Sequence, residues 1–219
     1  MISFHPTSQQ LEQFSVGNCE PAMALMISAH IDMCGVCRAY SRRFLECASI
    51  EALSEGTSLG PCYKDMLADI TNLPVATQDA VYIKPTLELD GRHFALPRAL
   101  HRFTSKTGNW SRLVDKLWQA PVELGEVGKG TFIYMEKGGR VPEHTHKGSE
   151  LTLVIDGQYS DGLADYDCGD FTLLDGSNKH LPHSEADEGC LVFTIVNKPL
   201  HFTSGLARML NPFSHMFFK

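Results

Sequence analysis

The sequence predicts an α+β chain in two parts, a small all-α bundle followed by an all-β sandwich or barrel. Two patterns predict it. Up to about residue 72, apolar residues recur every three to four positions, the period of an amphipathic helix. From about 113 onward, short apolar or alternating runs are separated by Gly and Asp, the spacing of a small antiparallel β-domain. With 219 residues, 43% hydrophobic and 21% charged, the chain has a globular composition and room for two modest domains.

In chain order, Thr7 and Ser8 can cap a first helix over "QQLEQFSV", and Pro21 suits the first turn of "AMALMISAHIDMC". A third helix, "VCRAYSRRFLECASIEAL", puts Cys37, Tyr40, Phe44, Cys47, Ile50 and Leu53 on one stripe, and a fourth, "YKDMLADITN", stops before Pro74. Met23, Met26, Ile27 and Ile31 form either an exposed, adaptable Met-rich face or part of the helical core. Pro74, Pro85 and Pro97 with scattered charge mark a connecting stretch that can hold short helices. The domain reading is therefore 1–85 helical, 86–112 linker and 113–219 all-β. Strands are expected in "GTFIYMEKGG", "ELTLVIDGQYSD", "GDFTLLDG" and "CLVFTIVN".

One short stretch of the helical part carries chemistry. In "SAHIDMCGVC", His30 and Cys34 are four residues apart and lie on one helical face, about 1.5 Å of rise per residue. A break near Gly35 lets Cys37 turn back, and two thiols separated by two residues can share an ion at about 2.3 Å per Zn–S bond. His5 in the "SFHP" leader is the preferred fourth ligand, with Cys19 behind it. A helical region of roughly 70 residues builds only a marginal core, so an ion bound by the folded form alone adds to its stability. The competing readings are plain buried thiols and a redox CxxC, although no βαβ pattern surrounds the pair.

A second set lies in the β part. In "VPEHTHKGSE", His144 and His146 alternate along an extended segment and point the same way, with Glu150 following a Lys-Gly-Ser turn. Thirty residues on, "KHLPHSEADEGC" supplies His180 or His183 as a third imidazole. Three His and one Glu suit zinc but also manganese, iron or nickel. His93, His101, His201 and His215 have no neighbour at ligand spacing and read as surface or core residues.

The balance of the chain narrows its class. A net charge of -7 argues against direct nucleic-acid binding, which needs clustered Lys and Arg. Residues 1–85 hold five Lys and Arg against nine Asp and Glu, a sign that suits a basic partner or merely a solvated surface. Seven irregularly spaced cysteines do not resemble a secreted disulfide framework, so a reducing, cytoplasmic compartment is expected. The longest early apolar run, "PAMALMISAHI", is too short to span a bilayer, and no membrane association is expected.

HxxxCxxC after an early His, followed in the β part by HxHxxxE and a later HxP, resembles the ChrR-type zinc-binding anti-sigma factors over nearly the whole chain. The resemblance implies a helical anti-sigma domain that holds one zinc and binds an extracytoplasmic-function sigma factor. It also implies a cupin-like β domain, a double-stranded β-helix or jelly-roll barrel, with a second zinc or other divalent metal. The family pattern falls on His5, His30, Cys34 and Cys37 and on His144, His146, Glu150 and His180, the HxP element favouring His180 over His183. It further implies release of the sigma factor under singlet-oxygen or peroxide-type stress, a reactive-oxygen or small-molecule signal acting at the cupin. Cys168 and Cys190 are candidate modulators of that response. No catalytic residue is expected. The alternative is a metal-dependent cupin enzyme of dioxygenase or isomerase type, in which the N-terminal ligand set would have no role.

Overall fold

A Thr7–Gln10 capping box starts the first helix, α1 (Ser8–Ser15): the Gln10 amide donates to Thr7 Oγ1 at 3.2 Å and the Thr7 amide to Gln10 Oε1 at 2.8 Å. The computed structural model describes residues 1–54, 56, 60–74, 85–198 and 200–203. Helix α2 (Pro21–Met33) begins on proline, whose missing N–H costs nothing in a first turn. Its C-cap, Cys34, is also the N-cap of α3 (Gly35–Leu53), so the chain turns by 119° at one extended residue. Helix α4 (Pro61–Thr71) again opens on proline. Among the described residues no single helix is long and apolar enough to cross a membrane.

Residues 86–112, expected as a linker with short helices, contain more structure than that. Strands β1 (Thr86–Leu89) and β2 (Arg92–Ala95) form a hairpin, and the short helix α5 (Arg98–His101) follows. The hairpin turns on Asp90 and Gly91, both at positive φ, as a two-residue connection favours. Leu87, Leu89, Phe94, Leu100 and Phe103 are buried in the principal core.

The remaining strands are β3 (Ser111–Val114), β4 (Leu117–Glu123), β5 (Lys129–Met135), β6 (Gly139–Arg140), β7 (His144–His146), β8 (Glu150–Ser160), β9 (Asp165–Asp167), β10 (Phe171–Leu174), β11 (His183–Ser184), β12 (Cys190–Val196) and β13 (Leu200–Phe202). They build a curled antiparallel sheet in the order β3-β4-β5-β12-β8-β11-β6, with β9 and β10 also paired to β8, while β7 pairs with β13. This is a cupin-like half-barrel carrying a helical bundle.

Alternation decides what each face of the sheet buries. One set of β residues, Ile133, Met135, Val154 and Val192, packs inside the curl with Leu117 and Tyr159. The opposite set, Phe132, Leu153 and Phe193, meets Leu25, Met26 and Ala29 of α2, so helix and sheet share one core. Of the two readings of the α2 methionines, core packing holds for Met26, which is fully buried. Ile27 is equally buried, in a separate cluster with Leu11, Cys34 and Cys37. The stripe on α3 splits: Cys37 is buried and the Tyr40 ring packs tilted against Phe44 with centroids 5.0 Å apart, but Ile50 and Leu53 emerge into solvent.

Candidate metal centres

The junction between α2 and α3 builds the first cluster. His30 in the last turn of α2, Cys34 at the break and Cys37 in the first turn of α3 are buried, and His5 closes over them from the leader. One ligand atom from each lies within 4.8 Å of all the others. His5 Nδ1 is 3.4 Å from His30 Nε2, 3.6 Å from Cys34 Sγ and 3.3 Å from Cys37 Sγ. His30 Nδ1–H donates to the Gly169 carbonyl at 2.8 Å, which leaves the Nε2 lone pair facing the thiols. Burial pushes the Cys37 thiol up to about 12, with the neighbouring Cys34 adding to it. Burial also lowers His30, against the opposing hydrogen bond to Gly169. Two thiols and two imidazoles with a lone pair turned inward form a donor set that a zinc ion satisfies by stabilising the thiolates.

Extended pairing builds the second cluster. Period two aims both His144 and His146 inward from β7, and an isolated bridge joins His144 to His180, each amide donating to the other's carbonyl at 3.1 Å. His180 Nε2 lies 2.8 Å from His144 Nε2 and 2.9 Å from His146 Nε2, and Glu150 Oε2 is 3.0 Å from His146 Nε2. All four residues are buried. His144 Nδ1–H donates to the Pro142 carbonyl at 2.8 Å, again leaving Nε2 as the inward lone pair. Burial and the facing His180 pull His144 down to about 4. For Glu150, burial acts to raise the carboxyl, but the hydrogen bond from His146 and the three imidazoles outweigh it and hold it below the ordinary value. Nε2 atoms this close cannot all be donors, and a divalent cation resolves the crowding of lone pairs.

The structure thus gathers the eight sequence candidates into two groups. The two alternates lie apart from them: Cys19 Sγ donates to the Gln10 carbonyl at 3.7 Å, and His183 Nδ1–H to that of Leu181 at 3.1 Å. His215 is outside the described residues. Sequence reasoning missed Gly169, whose carbonyl holds His30, and Asp170, which holds the leader beside His5. Their partners on the leader and α2 are more than 130 residues away, so no local pattern marks them.

A helical module with a His/Cys cluster, packed on a curled β-domain with a His/Glu cluster, defines a two-module protein with a cupin-like half. Residues 101–199 match the family described as ChrR Cupin-like domain. The chain is 26% identical to the anti-sigma-E factor ChrR of Cereibacter sphaeroides, over 97% of its own length and 98% of that protein. It shares a fold with the crystal structure of Rhodobacter sphaeroides SigE in complex with the anti-sigma ChrR: the TM-score is 0.65 at 22% identity, covering 90% of this chain and 100% of that one. An RmlC-like cupin protein of Ralstonia eutropha JMP134 is 18% identical over 46% of this chain and 69% of its own, with a TM-score of 0.40. The chain is thus similar to ChrR over nearly its full length, and its C-terminal part matches the ChrR Cupin-like domain.

Proposed function

We propose that the chain is an anti-sigma factor that binds an extracytoplasmic-function sigma factor, keeps it from RNA polymerase and releases it under singlet-oxygen or peroxide-type stress. One observation carries the reading: large apolar side chains at the end of α3 and along one face of α4 that nothing in the chain's described residues covers. Ile50 is 72% exposed, Leu53 79% and Ile70 55%, with Tyr63, Met66 and Leu67 beside Ile70 in sequence and more than half exposed. Large apolar side chains exposed along one helix face mark a site that another molecule covers. A sigma factor is the occupant because this chain is similar, over nearly its full length, to an anti-sigma-E factor and to a ChrR crystallised with SigE. Sequestering such a partner requires the cytoplasm and no direct contact with nucleic acid.

In this reading residues 1–85 are the inhibitory part, 113–219 the cupin-like sensor, and 86–112 a built joint between them. His5, His30, Cys34 and Cys37 hold a structural zinc. It fixes the corner from which α3 projects, so its loss deforms the docking surface. His144, His146, Glu150 and His180 hold zinc or another divalent ion, and the signal is an attack on, or a ligand at, that second site. Release needs only that the altered state bind the sigma factor less tightly than the resting one. The cavity beside this cluster, lined by Val141, Tyr159 and Pro182 among others, is about 30 Å³. That is about one water, far below the roughly 300–1,000 Å³ of substrate pockets, which weighs against a cupin enzyme.

Co-expression with extracytoplasmic-function sigma factors tests the proposal. One of them copurifies with the full chain, and the complex is lost with Cys34→Ala or Cys37→Ala or on treatment with a chelator. Ile50→Asp with Ile70→Asp weakens it at least tenfold. Binding unchanged by all of these overturns the reading.

A further inference from the structure

Two buried carboxylates of the β-domain, Asp161 and Asp170, belong to neither cluster, yet each stands directly behind one of them; both are 1% exposed. Asp170 Oδ1 accepts the amides of Ser3 at 2.6 Å and Phe4 at 2.8 Å, its Oδ2 accepts that of Asp167 at 2.7 Å, and the Phe171 amide donates to the Phe4 carbonyl at 3.0 Å. These bonds clamp the two residues immediately before His5. The adjoining Gly169 carbonyl holds His30. Gly169 itself sits at φ +95°, and a Cβ there would collide with the Ile2 side chain. Both imidazoles of the N-terminal cluster are therefore aimed by three consecutive residues of the β-domain.

Asp161 faces the other cluster. Its Oδ1 accepts the amides of Leu163 and Ala164 at 2.8 and 3.0 Å, and its Oδ2 accepts the Tyr166 hydroxyl at 3.1 Å. The same Oδ2 lies 3.6 Å from His180 Nδ1, a buried nitrogen with no hydrogen-bond partner. An imidazole that commits Nε2 to an ion carries its proton on Nδ1 and needs an acceptor there, and Asp161 is the acceptor in line. Tyr166 stacks on Tyr159, with ring centroids 4.8 Å apart, and its other neighbour is the Phe4 ring at 4.7 Å. One carboxylate oxygen thus faces both His180 and the Tyr166 hydroxyl, linking them, and Tyr166 bears on the leader residue that precedes His5.

We propose that Asp161 and Asp170 are the positioning residues of the two clusters and that the Tyr166–Phe4 contact couples them, so that the N-terminal set's grip on its ion depends on the cupin set. The inference rests on both clusters being metal sites. Linkage makes the dependence reciprocal.

Cobalt titration of the full-length chain tests it, because the thiolate-to-cobalt absorption band reads the cysteine-containing cluster alone. The metal content of the purified native chain is the control: two ions per chain sustain the metal reading, and none removes that reading, whatever the variants do. Asp170→Asn lowers cobalt affinity at the N-terminal cluster about tenfold or more, the usual loss when a ligand's support is removed. His180→Ala lowers it about fivefold, a typical coupling between sites, and Tyr166→Phe, which deletes one oxygen and keeps the ring, abolishes that dependence. Circular dichroism establishes that each variant is folded. If Asp170→Asn does not fold, the His180→Ala and Tyr166→Phe cycle decides. Metal-loaded native protein whose N-terminal affinity stays within twofold in a folded Asp170→Asn and in His180→Ala overturns the proposal.

Discussion

His144 and His180 exchange a reciprocal pair of backbone hydrogen bonds at 3.1 Å while their Nε2 atoms meet at 2.8 Å, so main-chain pairing brings together two imidazoles 36 residues apart. His183, three residues later, pairs with Arg140 and Ser160 and keeps its ring outside the cluster. His180→Ala therefore lowers the cupin cluster's metal affinity by more than the roughly 10–100-fold that loss of a supporting residue costs, and His183→Ala leaves it unchanged. Metal content after dialysis against a competing chelator reads the difference. Equal loss from both variants, or retention in both, refutes the assignment of His180.

The metal-stripped chain is acid-sensitive. His144 is held down to about 4 by burial and the facing His180, against an ordinary value of about 6.5 in the unfolded chain. Between those values the unfolded chain binds a proton that the folded one refuses, so stability falls as the pH drops from about 6.5 to about 4 and is unaffected by this group at higher pH. The change is about 3 kcal/mol. Glu150, whose carboxyl is held below its ordinary range, adds a further loss in the same direction as the pH falls through the carboxylate range. Urea denaturation in the presence of chelator measures it, and a flat profile from pH 6.5 to 4 contradicts a buried neutral imidazole.

Core and surface apolar residues of the helical part separate cleanly. Met26 is fully buried against the sheet, and Met26→Ala costs about 2–5 kcal/mol, as for other large-to-small core changes. Ile50 is 72% exposed, and Ile50→Asp shifts stability by no more than about 0.5 kcal/mol while weakening the sigma complex. Denaturation of the free protein beside binding titrations checks both. If Ile50→Asp unfolds the chain, α3 packs on something in the free protein and its surface is not a docking site.

Periodicity made the helices and the long strands legible: the Thr7 cap, Pro21 and the run "CLVFTIVN" all carry local signals. The β1–β2 hairpin also carries one, Asp90-Gly91 between alternating residues, which Pro74, Pro85, Pro97 and the scattered charge mask when taken as marks of a connecting stretch. The paired motifs pointed to two ligand sets because helical and extended spacing each fix a direction. What the sequence could not reveal is how the modules join. That α2 is one wall of the β-domain's core, and that Asp170 anchors a leader 166 residues away, depend on long-range packing with no periodic trace.

The cysteines differ in access, and this bears on the proposed release by oxidants. Cys190 is fully buried, and burial raises its thiol well above the ordinary value, so it is a poor thiolate and a poor target. Cys47 and Cys168 are exposed. Cys168 also borders Gly169, whose carbonyl holds His30, although burial of its sulfur and the nearby Asp156 raise its thiol and slow its reaction. Alkylation of the native chain at pH 8 followed by mass spectrometry labels Cys47 and Cys168 well before Cys190. If a cysteine outside the clusters modulates release, it is Cys168: Cys168→Ser alters the oxidant-induced loss of sigma binding and Cys190→Ser does not. Labelling of Cys190 ahead of Cys168, or a response that depends on Cys190 alone, contradicts this order.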